Sequence, residues 1–221
     1  MKPRLLDCSP WRGARWLVIA PHPDDETLGT GALIHDAAGR GRLAGIVFLT
    51  DGGGSHPQGT AGLRAVRRRE ARRAVALLSA RSAPVDWLGW EDGEPCVPGS
   101  ARFERTAMRM AAMIRARRVD ALAVSDPGDG HCDHIAAFEL ACETRARSHR
   151  KLQIFTYSVW DNAVCRGMRY RTPSMPISLR RQALCAHRSQ LSPRMGQGFR
   201  LPLPMRRMPA ADCIVAVDWP R

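Results

Sequence analysis

Trp16-Leu17-Val18-Ile19-Ala20-Pro21-His22-Pro23-Asp24-Asp25-Glu26-Thr27-Leu28 is the stretch whose reading decides the fold. The five apolar residues read as a buried strand ending at Ala20. The prolines mark a turn, and apolar-periodic residues from Leu28 onward read as a helix that starts near Thr27. Between them one turn holds a histidine and two carboxylates. Like charges packed this closely oppose folding unless a cation balances them, and His and Asp are ligands for zinc or a similar divalent ion.

The same alternation continues outward. Strand candidates are Trp16–Ala20, Leu43–Thr50, Val85–Trp90, Ala121–Ser125 and Gln153–Val159. Helix candidates are Leu28–Ala38, Leu63–Leu78, Phe103–Arg117 and Ile135–Arg147. Strand–helix alternation argues for an α/β fold: a Rossmann-like, open, mostly parallel sheet with helices on both faces. Beyond it, Arg166–Pro176 reads as a loop and Ile177–Gln190 as a helix. Leu191–Pro209, rich in proline and glycine, reads as irregular, and Cys213–Val217 as a last strand. No repeat or internal boundary is visible, so residues 1–221 are expected to form a single domain.

A second polar cluster, Asp126-Pro127-Gly128-Asp129-Gly130-His131-Cys132-Asp133-His134, follows the strand Ala121–Ser125 and opens the next helix. Both clusters therefore fall at carboxyl ends of strands. In an open α/β sheet that edge is the ligand crevice where the strand order reverses. If the first and fourth strands are neighbours, the clusters meet. His22 and Asp25 are three residues apart, as are His131 and His134, a spacing that puts side chains on one face of a helical turn. Any three of these four could hold one metal and leave an open position, as catalytic zinc sites do. A carboxylate beside such a metal, not bound to it, serves as general base.

Other polar residues have blander readings. Glu26, in a first helical turn, complements the helix dipole and holds nearby backbone or an arginine. Asp51, at the end of the second strand and before Gly52-Gly53-Gly54, is a turn former, or a substrate or supporting residue at the crevice. Asp126 and Asp129 suit a turn, Cys132 is a small filler, and His187 suits the core. His35, His56 and His149 have no ligand spacing.

Composition narrows the classes. Apolar content of 44% fits a soluble globular protein, and no apolar run reaches the roughly 20 residues that span a bilayer. The N-terminal region lacks the apolar core of a secretory signal, and a cytoplasmic protein is expected. Seven cysteines, none in a Cys-x-x-Cys pair, argue against a disulfide framework or a thiolate zinc site. The net charge is +13, and every basic residue except Lys2 and Lys151 is arginine. Aromatic residues do not interleave with the arginines as base-stacking platforms would, so nucleic acid is not expected as primary partner. A basic surface suits peripheral contact with an anionic membrane or a lipid-linked substrate. Oligomeric state is not legible.

The residues quoted resemble the LmbE-like zinc deacetylases, relatives of N-acetylglucosaminyl-phosphatidylinositol de-N-acetylase (the PIG-L family). The resemblance rests on Pro21-His22-Pro23-Asp24-Asp25-Glu26 and on His131-x-Asp133-His134. Thr50-Asp51-Gly52, Arg67-x-x-Glu70 and Ala183-Leu184-Cys185-Ala186-His187-Arg188-Ser189-Gln190 support it. It covers roughly residues 16 to 190. It implies a hydrolase that removes acetyl from an N-acetylglucosamine-type amino sugar in a glycan, glycolipid or small-molecule conjugate. It also implies His22, Asp25 and His134 as zinc ligands and Asp24 as general base. His131 would stabilise the oxyanion or protonate the leaving amine, with Asp133 orienting the histidine, and Arg67 would contact substrate. A His2Asp set also accepts Fe2+ or Mn2+. The alternative from a different class is a metal-containing sugar-binding protein without turnover, which has no need of the base Asp24.

Overall fold

The computed structural model describes residues 2–57, 60–80, 83–160 and 164–218. Within them one sheet of eight strands is formed: β1 (Arg4–Leu5), β2 (Trp16–Ala20), β3 (Leu43–Thr50), β4 (Val85–Trp90), β5 (Ala121–Ser125), β6 (Gln153–Tyr157), β7 (Gly167–Arg171) and β8 (Cys213–Val217). The helices are α1 (Asp25–Gly39), α2 (Leu63–Ser79), α3 (Ala101–Ala116), α4 (Cys132–Ser148), α5 (Ile177–Ala186) and α6 (Arg188–Leu191). The strand order is β1-β7-β8-β6-β5-β2-β3-β4. Pairing is parallel except where β8 runs antiparallel to β6 and β7.

β2 is buried along its whole length, as a central parallel strand covered on both faces must be. Its side chains alternate between two cores. Trp16, Val18 and Ala20 join Leu33, Ala74 and Leu78 on the face covered by α1 and α2. Leu17 and Ile19 join Phe103, Met110 and Leu140 on the face covered by α3 and α4. This is the two-residue side-chain period of a strand. β2 lies between β3 and β5, with Val18 opposite Ile46 on one side and Ala123 on the other. The chain proceeds outward through β3 and β4, then returns to place β5 on the far side of β2. The order thus reverses between β2 and β5, and the two polar clusters meet there.

Helix α1 is kinked. Thr30 leaves helical geometry (φ −134°, ψ 17°), which frees backbone groups inside a buried element. Arg180 of α5 satisfies them: Nε donates to the Thr27 carbonyl at 3.0 Å and Nη2 to the Leu28 carbonyl at 2.7 Å. Its Nη1 lies 2.7 Å from Asp212, whose other oxygen accepts the Leu33 N–H at 2.8 Å. Gly29 is required just before the kink, since a Cβ there would lie 2.1 Å from the Tyr157 ring.

Three sequence readings change. Arg166–Pro176, read as a loop, contains β7; Met168 and Tyr170 alternate with Arg169 and Arg171, and the arginines hid that period. The strand expected to run to Val159 ends at Tyr157, because Ser158 and the Val159 N–H turn aside to bond Asp129. The helix expected over Ile177–Gln190 breaks at His187 (ψ 56°), which turns inward. Three helices also start two or three residues earlier than expected, at Asp25, Ala101 and Cys132, so Asp25 and His134 lie in first helical turns while Asp24 and His131 are the residues just before them. No helix among the described residues is long and apolar enough to cross a membrane.

Replacing Arg180 by Met strands the Asp212 carboxylate in the interior and leaves the α1 carbonyls unpaired. The expected cost is about 3–5 kcal/mol of unfolding free energy. Urea denaturation checks it, and a loss below about 1 kcal/mol would show that the kink supports itself.

Candidate metal centre

The turn after β2 is built by its own carboxylates. Asp25 Oδ2 accepts the His22 N–H at 2.8 Å, and Glu26 Oε2 accepts the Asp24 N–H at 2.9 Å. Asp24 sits at φ 124°, a conformation rare for a non-glycine residue, and its carbonyl accepts the N–H groups of Thr27 and Leu28. The strain is held by burial on all sides. Pro21 accepts from Thr50 of β3, which ties the turn to the sheet edge.

His22, Asp25 and His134 bring one donor atom each into a common cluster. Asp25 Oδ2 lies 3.3 Å from His22 Nδ1 and 3.4 Å from His134 Nε2. A tetrahedral ion with bonds of about 2.0–2.1 Å has ligand–ligand edges of roughly 3.3 Å. The outer nitrogens are also held. His134 Nδ1 is 3.1 Å from Asp129, and His22 Nε2 is 2.9 Å from Asp133 and 3.2 Å from Asp92. Carboxylates on the far side of ligand imidazoles fix ring orientation and raise basicity. The donor set and its supports therefore fit a divalent ion.

Electrostatics agree. Burial alone would lower the His22 pKa, yet hydrogen bonds to Asp133, Asp25 and Asp92 carry it well above the ordinary value. His134 behaves alike: the Asp25 charge and the Asp129 bond outweigh burial and raise it to about 9. Burial would raise Asp25, but His134 and His22 hold it well below the usual carboxylate range. Asp25 is thus stabilised by positive charge on its two neighbours, and a cation bound there would displace those protons and take their place.

Asp24 is different. A second donor cluster is formed by His22, Asp92, His131 and Asp133. The Asp24 side chain joins neither cluster, and burial followed by the neighbouring Asp25 charge pushes its pKa up to about 7. Gln190 Nε2 donates to its Oδ2 at 2.5 Å. His131 stands at the edge, its side chain 42% exposed. Its Nδ1 accepts the Asp133 N–H at 3.2 Å, which leaves the proton of the neutral ring on Nε2. Burial and the nearby His22 hold its pKa below the ordinary value. The Asp133 carboxylate is nearer His22 than His131, at 2.9 against 3.9 Å, so it orients His22 while its backbone orients His131.

His22, Asp24, Asp25, Arg67, His131, His134 and Gln190 share the wall of one cavity of about 230 Å³. Arg67 is buried, with Nε and Nη2 unpartnered among the described residues, in contrast to the solvated Arg64 and Arg69 of the same helix. Burial lowers its pKa, and Asp24 and Asp92 are the nearest opposing charges. Asp51 is not on that wall; it accepts the Gly53 N–H at 3.1 Å and lies 3.6 Å from Arg64. Cys132 is exposed and outside both donor clusters.

Sequence reasoning missed Asp92, Asp129 and Gln190. Asp92 follows β4 at the same sheet edge as the motifs, and that edge rule could have flagged it. Asp129, read as a turn residue, accepts from Ser158, Val159 and Trp160 as well as facing His134. Gln190 closes the last quoted motif but had no role. Glu26 holds backbone, as expected, and is also paired with His187 at 3.0 Å.

The chain thus presents an open α/β sheet with a candidate His2Asp cluster at its switch point. The chain belongs to the PIG-L family, whose profile, described as GlcNAc-PI de-N-acetylase, matches residues 17–144. No curated protein matched the chain by sequence. Among solved structures, N,N'-diacetylchitobiose deacetylase from Pyrococcus horikoshii is similar at 23% identity and TM-score 0.63, covering 83% of this chain and 73% of its own. A conserved protein from Thermus thermophilus is similar at 24% identity and TM-score 0.65, covering 94% and 99%. The zinc-inhibited form of teicoplanin deacetylase Orf2 is similar at 19% identity and TM-score 0.63, covering 80% and 84%. At these identities the likeness is one of fold.

Asp129→Ala frees the His134 ring and leaves its Nδ1 without an acceptor. Zinc affinity, measured by chelator competition, is expected to fall about 10- to 100-fold. His134→Ala is expected to abolish stoichiometric binding. Unchanged affinity in both variants would place the ion elsewhere.

Proposed function

We propose that this chain is a metal-dependent hydrolase that removes the acetyl group from an N-acetylglucosamine-type amino sugar, giving acetate and a free amine. The observation that carries the reading is Asp24: a buried carboxylate with raised pKa, on the cavity wall beside a His2Asp donor set but not part of it. Membership of the PIG-L family supports it.

In this reading His22, Asp25 and His134 hold the ion, with zinc as first candidate and Fe2+ or Mn2+ as alternatives. When bound, such an ion supplies a Lewis acid for the acetamide carbonyl and lowers the pKa of water. The chain's own residues do the rest. Asp24 takes the proton from the attacking water; a carboxylate whose pKa lies near neutrality is suited to accept it and return it. His131, neutral and protonated on Nε2, donates toward the developing oxyanion or delivers the proton to the leaving nitrogen. Asp133 keeps His22 in place through its carboxylate and His131 through its N–H.

Arg67 offers unpartnered donors to substrate hydroxyl or phosphate oxygens, and Asp51 supports the glycine loop at residues 52–54 beside it. Trp160 and Phe199, in edge contact with ring centres 6.4 Å apart, add an apolar wall. Leu28 and Val159 are shared with a second cavity of about 390 Å³ that carries Arg169 and Arg207. That cavity has room for the aglycone. The expected partner is thus an N-acetylated amino-sugar conjugate, lipid-linked or free, with the cell interior as proposed location.

Zinc-loaded protein is expected to release acetate from a panel of N-acetylglucosamine conjugates. Asp24→Asn should retain the metal and lose about 10²- to 10⁴-fold in kcat. A variant that still turned over at the parental rate would remove Asp24 from the chemistry. Metal-loaded protein that bound the sugars without releasing acetate would favour a binding role.

A further inference from the structure

Gln190 belongs to α6, far along the chain from the two motifs, yet its side chain is buried on the wall of the catalytic cavity. Its main chain is fixed at both ends: its N–H donates to the His187 carbonyl at 3.0 Å, and its carbonyl accepts the Leu201 N–H at 2.9 Å. The side-chain amide is oriented by Asp24. Its NH2 group faces Asp24, Nε2 donating to Oδ2 at 2.5 Å. This leaves Oε1, a buried carbonyl oxygen with no hydrogen-bond partner among the described residues. Buried acceptors are nearly always paired, so an orphan on a side chain that lines a cavity points to a ligand donor.

We infer that Gln190 Oε1 accepts the N–H of the substrate acetamide while Nε2 holds Asp24, so that this one side chain both positions the base and selects amides over esters. The inference rests on the deacetylase reading above. Asp24 must reach the water that attacks the carbonyl carbon, and the amide nitrogen is one bond from that carbon. Sugar hydroxyls lie several bonds further away. The N–H is therefore the substrate donor that must come closest to whatever holds Asp24. An acceptor there also suits the chemistry. As water adds to the carbonyl carbon, nitrogen loses amide resonance and becomes pyramidal. A hydrogen bond to its N–H fixes the direction of the new lone pair, which then takes the proton as the C–N bond breaks. An acetate ester has no N–H and would leave Oε1 unpaired.

The test compares wild type with Gln190→Met, which keeps length but has neither donor nor amide acceptor. Both zinc-loaded proteins would be assayed on an N-acetylglucosamine glycoside and on the matching 2-O-acetyl ester. Metal content and thermal stability serve as controls. Loss of the Asp24 contact slows both substrates; loss of the N–H contact slows the amide alone. The variant is expected to lose about 100-fold or more in kcat/KM on the amide and about tenfold or less on the ester, since a site built around a substrate N–H discriminates strongly for it. Equal losses on the two substrates would overturn the acceptor role.

A second readout needs no turnover. Calorimetric titration with the glycoside and its N-methyl tertiary amide should show wild type preferring the N–H compound about tenfold and Gln190→Met showing no preference. Equal binding of both by wild type would also overturn the inference. If wild type releases no acetate but keeps the preference, the hydrolase reading fails and the recognition by Gln190 stands.

Discussion

Three consecutive carboxylates, Asp24, Asp25 and Glu26, are buried at the end of one strand, and compensating them organises much of the molecule. Each has a different partner. Asp25 is placed between His22 and His134, Glu26 is paired with His187, and Asp24 is held by Gln190 with the Arg67 charge nearby. An unpaired buried carboxylate would take up a proton or unfold its surroundings. The turn is therefore stable only when α2, α4 and the α5–α6 segment all converge on it.

That convergence separates the roles of chemically identical groups. Asp24 and Asp25 are neighbours, yet burial and like charge raise one while two imidazoles lower the other. The proposed base role of Asp24 rests on this separation of two neighbouring carboxylates. Asp24, at φ 124°, lies on the same cavity wall but outside the donor cluster that Asp25 joins. Glu26 fixes this geometry from the side by accepting the Asp24 N–H while bound to His187.

The C-terminal third does more than close the fold. Arg180 and Asp212 fill the kink of α1 directly after the turn, and the break at His187 turns that side chain onto Glu26 and brings Gln190 to Asp24 on the cavity wall. Two cavities meet at Leu28 and Val159 as a result. The helix that carries Asp25 is thus held from the sheet by Tyr157 packing on Gly29 and from outside by α5.

Local sequence was enough to set β2 to β5, the order of the first four helices, and the placing of both polar motifs at strand ends. These follow from local period, proline and glycine punctuation, and like-charge crowding, all legible within a few residues. β7 escaped the same reading, because arginines covered its alternation. Long-range packing alone chose which imidazole nitrogen faces which carboxylate. It also brought the Asp133 carboxylate to His22, stood Asp92 and Asp129 behind the cluster, and set Gln190 against Asp24. Those bonds join residues such as 22 and 133, 26 and 187, or 24 and 190. Partners so far apart are selected by where the strand order reverses and where buried charge must be met, and no local pattern encodes that.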